Sequence, residues 1–429
     1  MREMKDSGIA WIGEIPADWE TPKMKYIAEN ITDFTASGSF ADLAENVKYL
    51  DYEDYAMLVR TVDLSAKRKI QHIYVNRHAY DYLKNSNLHG GELILPNIGS
   101  VGMIYKYVPL YKKSTLAPNS IMIRSQNNNY LYYLFLNSAG EEALKRLSSA
   151  TTQAKFNKTQ LRNLKVILPN LEEQQKIADF LDAKCGEIDG ILGDIEAQVE
   201  TLEAYKRSVI TEAVTKGLHP DAEMKDSGVA WIGEIPADWK VIRGKYILRY
   251  LQKSVKKNDG VITCFRDGEV TLRSNRREDG FTIAQKEIGY QGVDVGDLVV
   301  HGMDGFAGSI GISDSRGKAS PVLNVLDTVQ NKRYIMYYLR SMAYSDVFLA
   351  LATGIRVRSC DLRWNKLSEL LYPVPPIDEQ GIIVNFVDDV ISKVDALIAG
   401  KKEQAETLRA YKKSLIFEYV TGKKEVPAV

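Results

Sequence analysis

The chain has 429 residues, 45% hydrophobic, 26% charged and 9% aromatic, which is long enough for two or three globular domains. Its 56 basic and 56 acidic residues cancel, which by itself argues against nucleic acid. Three distant cysteines (Cys185, Cys264 and Cys360), in no CxxC spacing, argue against a disulfide framework or zinc site and fit a reducing cytoplasm.

No apolar run approaches the ~18–20 residues of a membrane span, and the charged start does not read as a secretory signal. Residues 1–20 form an opening segment that the chain repeats. Between 4–20 and 224–240, 15 of 17 positions are identical; Ile9 faces Val229 and Glu20 faces Lys240. One long period in two copies predicts a duplicated domain, whereas a solenoid would repeat a short unit many times.

Residues 21–170 form a basic block with 19 Lys/Arg against 12 Asp/Glu. "GGELILPNIGSVGMIY" (90–105) and "APNSIMI" (117–123) read as strands feeding Gly-rich turns, and "YLYYLFLNS" (130–138) as a helix start. Three stretches carry the side chains that nucleic acid needs, amides for base edges above a background of cations for phosphate. They are "SAKRKIQ" with Lys67, Arg68 and Lys69; "PNIGS" with Asn97 and Ser100; and "TTQAKFNKTQ" with Gln153, Lys155, Asn157 and Lys158.

Residues 171–217 are predicted to be one long helix. It follows Pro169, has acidic residues in its first turn, and repeats apolar side chains every seven residues at Leu181, Ile188, Ile195, Leu202 and Val209. Leu192, Val199 and Ala213 interleave to complete most of a coiled-coil seam. Residues 171–223 are acidic, with 5 basic against 13 acidic side chains, so the zero total hides a basic–acidic–basic pattern.

After the linker and repeat copy at 218–240, residues 241–376 form a second basic block. Within it, 241–370 hold 20 basic against 14 acidic residues. It echoes the first only sparsely: "VGDLVVHGMDGFAGSIGI" (295–312), "SPVLNVL" (320–326) and "YIMYYLRSM" (334–342). Its candidate contacts are Arg266, Arg273, Asn275, Arg276 and Arg277 in "CFRDGEVTLRSNRRE"; His301 and Asp304 in "HGMDG"; and Arg356, Arg358 and Arg363 in "TGIRVRSCDLR". Residues 377–424 repeat the long helix without a gap at an offset of 206, with a seam of Val387, Val394, Leu408 and Leu415 joined by Ile391, Ile398 and Ala405; Lys401 interrupts it. Neither helix shows a second apolar face for a globular core.

This order of parts, with "WIGEIPADW" twice, "LPNLEEQ" at 168–174 and "PVPPIDEQ" at 373–380, resembles the specificity subunit of type I restriction–modification systems over the whole chain. The resemblance implies an α+β fold with an internal pseudo-two-fold repeat, in which two related α/β target-recognition domains are separated by two long antiparallel coiled-coil helices. It implies that each variable domain reads one half of a bipartite double-stranded DNA site and that the helices set the gap. It implies that conserved segments hold two methyltransferase (M) subunits, through which nuclease/translocase (R) subunits join. Pro-Asn stands where the family has Pro-x-Pro-Pro before the first helix, a local departure. Trp11, Trp19, Trp231 and Trp239 are candidates for partner binding, or else core aromatics anchoring the repeat onto its helix; the two readings are compatible.

The chain shows no catalytic motif: no methyltransferase (N/D)PP(Y/F) loop, no nuclease PD…(D/E)xK with workable spacing, no Walker A loop, no GxSxG and no metal-spaced histidines. The resemblance implies that activity is borrowed from partner subunits, which bring S-adenosylmethionine, ATP and magnesium; no cofactor or metal is expected in this chain. The alternatives are a type IIB-like specificity subunit and, from a different class, a nuclease of unfamiliar type acting at the basic grooves.

Overall fold

The computed structural model describes residues 2–65, 70–148, 155–276, 287–351 and 362–427. They form two compact units, Met1–Ile195 with Glu403–Val429, and Glu196–Lys402.

At the centre of the first unit is a four-stranded antiparallel sheet in the order Asn30–Asp33, Ser120–Arg124, Leu93–Pro96, Tyr105–Lys106. Its strands are apolar on both faces because both are covered, and alternate residues go to different layers. Leu93, Leu95, Ile121 and Ile123 pack with Tyr130, Leu131 and Leu134 of the helix Asn128–Leu136. Ile94 and Met122 turn the other way, onto Met57, Val59, Leu88 and Leu116. Those residues belong to a second four-stranded sheet, ordered Tyr74–Val75, Ala56–Val59, Ser114–Leu116, Asn87–Leu88, with one parallel pair at its centre.

The second unit repeats the central sheet with the same strand order: Leu248–Tyr250, Leu323–Thr328, Leu298–His301, Ile310–Ile312. Leu298, Val300 and Leu326 pack against the helix Lys332–Tyr344, while Val299, Leu323 and Val325 face the opposite layer. Here that layer is built differently, from two hairpin-like ladders, Ile262–Cys264 with Val270–Leu272 and Gln291–Val293 with Gly317–Ala319. The scaffold is duplicated and the outer layer is not.

The two long helices run Leu171–Lys216 and Ile377–Val420, with 46 and 44 residues. Each contributes one portion to each unit. In the first unit the Phe180 ring lies 4.5 Å from Tyr419, and Lys412 donates to Asp189 at 2.6 Å. Partner numbers fall as the helix advances, so the two segments are antiparallel. In the second unit Lys206 donates to Asp395 at 2.7 Å, and Ala213 and Val214 share a core with Ile383, Val384 and Val387, again antiparallel.

Of the seam residues, Leu181, Ile188, Ile195, Val387, Val394, Ile398, Ala405 and Leu415 are buried, while Leu192, Ile391 and Leu408 are half-buried. Val199, Leu202 and Val209 are also only half-buried, and beyond Leu202 the buried stripe passes to Ile210, Ala213 and Val214. A straight helix turns every 3.6 residues, so a strict seven-residue stripe drifts off its partner. The expectation that neither helix has a second apolar face is corrected. Ile177, Ile383 and Val384 are buried in the cores of the globular blocks, and the Tyr133 and Tyr337 hydroxyls donate to Asp182 and Asp388 one turn further on. Among the described residues no helix is long and apolar enough to cross a membrane.

Candidate nucleic-acid interface

In the second unit the strand Leu298–His301 ends in a turn, and the hairpin Ile262–Leu272 lies in the adjoining layer. Gly268 closes the hairpin at φ +93, the left-handed region where a side chain is strained, with its N–H on the Phe265 carbonyl at 3.0 Å. Hairpin and turn enclose a cleft of about 660 Å³ lined by Thr263, Phe265, Arg266, Asp267, Arg273, Arg276, His301, Asp304, Ser309 and Ser320. Thus five of the sequence candidates, Arg266, Arg273, Arg276, His301 and Asp304, converge on one cavity.

Two of the cleft's three arginines, Arg266 and Arg276, are held by carboxylates. Arg266 donates to Asp304 at 3.0 Å. Arg276 bridges Asp267 at 2.6 Å and Glu269 at 2.8 Å, with its guanidinium 4.2 Å from the centre of the Phe265 ring. Arg273 Nε reaches Thr263 Oγ1 at 3.4 Å, and Asn275 donates to Thr271 at 2.9 Å. Such pairing fixes planar guanidiniums in place, and about two-thirds of the Arg266 side chain stays exposed.

His301 has a structural task. Its Nδ1 accepts from the backbone N–H groups of Met303 (3.2 Å) and Asp304 (2.9 Å), which puts the proton of the neutral ring on Nε2. Burial pushes its pKa below the usual histidine value, against the opposing pull of Asp304. The Ser309 hydroxyl, buried and without a hydrogen-bond partner among the described residues, lines the same cleft.

The equivalent turn of the first unit is "PNIGS". Asn97 takes an N–H bond from Phe156 at 3.1 Å, in the place where Gly302 takes one from Leu362 at 2.8 Å, so the two loops occupy corresponding positions. Asn97 Nδ2 also donates to the Phe156 carbonyl at 3.2 Å, and Ile98 bridges to Lys155. Asn157 caps the helix Lys158–Asn163 in a reciprocal capping box with Gln160, and Lys158 donates to Asp33 at 2.8 Å. Ser100 and Lys155 are exposed. The two amides therefore hold the loops together, while Ser100 and Lys155 present side chains outward. Arg363 precedes the helix Trp364–Leu367. Lys67, Arg68, Lys69, Gln153, Arg277, Arg356 and Arg358 lie outside the described residues.

Signals that sequence reading missed are Phe265, Asp267, Ser309 and Ser320; of these, only Asp267, beside two candidate arginines, was within reach of a pattern argument.

The repeated segment folds the same way twice. The ladder Met4–Asp6 with Glu14–Pro16 has its counterpart in Met224–Asp226 with Glu234–Pro236. Trp19 and Trp239 are 1% and 0% exposed, so as partner-binding side chains they are corrected: they are interior anchors. Trp19 Nε1 donates to Glu173 at 3.0 Å, and Trp239 Nε1 to Glu379 at 3.1 Å. Each indole packs edge-on at 6.4 Å against a buried tyrosine, Tyr130 or Tyr334. The Tyr130 hydroxyl donates to the Val420 carbonyl at 2.8 Å, and that of Tyr334 reaches the carbonyls of Val214 and Pro373 at 3.0 and 2.9 Å.

Gln174 and Gln380, the residues after those glutamates, donate to the carbonyls of Pro169 and Pro375 before their helices. The "EQ" pair thus ties each long helix to its repeat segment. The unusual Asn170 accepts from the Glu173 N–H at 3.0 Å and acts as a helix cap. Trp11 is half-buried and Trp231 is 36% exposed.

Residues 16–201 match the family model of the type I restriction modification DNA specificity domain. Two relatives from Methanocaldococcus jannaschii, both named type I restriction enzyme specificity subunits, are similar to the chain. MjaX is 26% identical over 435 residues, covering 96% of this chain and 95% of the relative. MjaVIII is 24% identical over 333 residues, covering 73% and 75%. A solved chain from work on complex assembly and conformational transition of the type I R-M system shares the fold, with a TM-score of 0.65 at 14% identity, over 96% of this chain and 99% of that one.

Proposed function

We propose that the chain is a DNA-recognition subunit of the type I restriction–modification specificity family, and that its two α/β blocks each read one half of a divided double-stranded site. The observation that carries this reading is a central sheet repeated in both blocks with exchanged loop chemistry: "PNIGS" and "HGMDG" hang from the same place on equivalent strands, one amide-bearing, the other beside an arginine-lined cleft. Keeping a scaffold while altering its loops changes what is recognised without changing how the protein assembles.

In this reading Arg266, Arg273 and Arg276 supply phosphate or base-edge contacts in the second block. Ser100, Lys155 and Lys158 supply them in the first. The antiparallel helices set the spacing. The twice-presented repeat segment, through Trp11 and Trp231 at its surface, borders the docking site of each of two M subunits, and R subunits join through M. Methylation and cleavage belong to those partners, which bring S-adenosylmethionine, ATP and magnesium, and the complex works in the cytoplasm. No observation favours the type IIB-like or nuclease reading.

The test is reconstitution. Alone, the chain should neither methylate nor cut DNA; with its methyltransferase partner it should direct methylation to one split motif. Activity of the chain alone would overturn the proposal.

A further inference from the structure

The two copies of the repeat segment differ at one position that matters to their surroundings. In the first copy Arg2 lies across the junction of hairpin and helix. Its Nη1 bonds to Glu173, its Nη2 to Glu173 at 3.1 Å and to Asp18 at 2.6 Å, and its Nε to Asp18 at 3.2 Å. Its guanidinium carbon is 5.7 Å from the centre of the Trp19 ring. One planar cation therefore satisfies two carboxylates and stacks near an indole, a geometry particular to arginine.

In the second copy Asp238, Trp239 and Glu379 stand in the places of Asp18, Trp19 and Glu173, but Ala222 stands in the place of Arg2. Trp239 still donates to Glu379, yet among the described residues no lysine or arginine side chain pairs with Asp238 or Glu379. Burial lifts the Glu379 carboxyl above the usual glutamate range. Around it opens a cavity of about 830 Å³, lined by Asp238 and Glu379 together with Asp221, Glu223 and Asp378.

We propose that this cavity is a seat for an arginine side chain carried by a protein partner. Its set of groups is the one that grips a guanidinium in the other half of the same molecule. A protein segment fits better than a small cation because part of the lining is apolar. Ile382, 60% exposed, lines it where the first copy has Lys176 paired to Glu172, and Pro220, Pro236 and Pro376 complete the wall. The volume accommodates a side chain with flanking backbone. Lys216 and His219, which also line the cavity, are outnumbered by its carboxylates, so a cation is drawn in.

The test needs neither DNA nor a methyltransferase, so its outcome is separable from that of the specificity reading. The full chain, ¹⁵N-labelled at tryptophan with Trp239 assigned through Trp239→Phe, is titrated with acetyl-Arg-Leu-amide, acetyl-Lys-Leu-amide and guanidinium chloride. The Trp239 indole N–H reports on Glu379. The expected result is a saturable shift with the arginine peptide alone, lost in Ala222→Arg, which supplies the side chain in cis, and in Glu379→Gln, which keeps an acceptor for the indole. The proposal is overturned by no saturable shift, by an equal response to the lysine peptide or to guanidinium chloride, or by a shift that survives both variants.

Discussion

Trp19 and Trp239 were legible in the sequence as important, because they recur within an almost unchanged motif, but their partners were not. Glu173 lies 154 residues from Trp19 and Glu379 lies 140 from Trp239, distances that only folding can close. The same holds for the candidate amides: Asn97 and Asn157 had the chemistry for base edges, and packing spends them on the loop and on a helix cap. Replacing Trp239 by phenylalanine strips Glu379 of its only hydrogen-bond donor among the described residues, whereas Trp19→Phe leaves Glu173 with Arg2. Denaturant titrations should therefore show Trp239→Phe costing more than Trp19→Phe, on the order of 1–3 kcal/mol against less. His301 gives a pH signature. Its folded pKa lies below its unfolded value, so the unfolded chain binds more protons as the pH falls through about 6.5, and stability present above that range is lost below it. Melts from pH 7.5 to 5.5 should show a smaller loss in His301→Asn, whose side-chain oxygen can accept the same turn N–H groups without titrating.

The elements were more readable than their contacts. Both long helices, their starts after proline and most of their seam follow from a seven-residue stripe. The drift to Ile210 and Val214 does not, since the stripe shows no break that would announce it. Each helix is followed within two residues by a glycine with positive φ, Gly217 at +72 and Gly422 at +69. A Cβ on Gly422 would stand 2.4 Å from Pro16 and 3.0 Å from Trp19, while on Gly217 the nearest atom is Trp239 Cζ2 at 3.2 Å. Gly422→Ala should thus destabilise its unit by several tenths to about 3 kcal/mol, and more than Gly217→Ala does in its own, as read from the denaturant midpoint. Equal effects would mean that the backbone conformation alone, and not the crowding by the repeat segment, sets the cost.

At the scale of the whole molecule, duplication was plain from the opening line of the sequence, and so was the charge pattern behind a net charge of zero. What stayed hidden is the second layer of each block, a mixed sheet in one and paired ladders in the other, because the sequence there has diverged beyond alignment. That divergence is what the proposed pair of different half-targets would require. If phosphate attraction supplies most of the affinity, the DNA association constant should fall linearly with salt on logarithmic axes, and Arg266→Ala with Arg276→Ala should flatten that slope. The central claim is that twin blocks read separate half-sites across a gap set by the helices. It is tested most directly by a methylome of cells carrying this chain with its methyltransferase partner, beside cells in which one heptad has been removed from each helix. The account predicts one two-part motif with a fixed unspecified interior, and the same two parts at a different spacing in the altered strain. A continuous motif, or a spacing unmoved by the deletion, would contradict it.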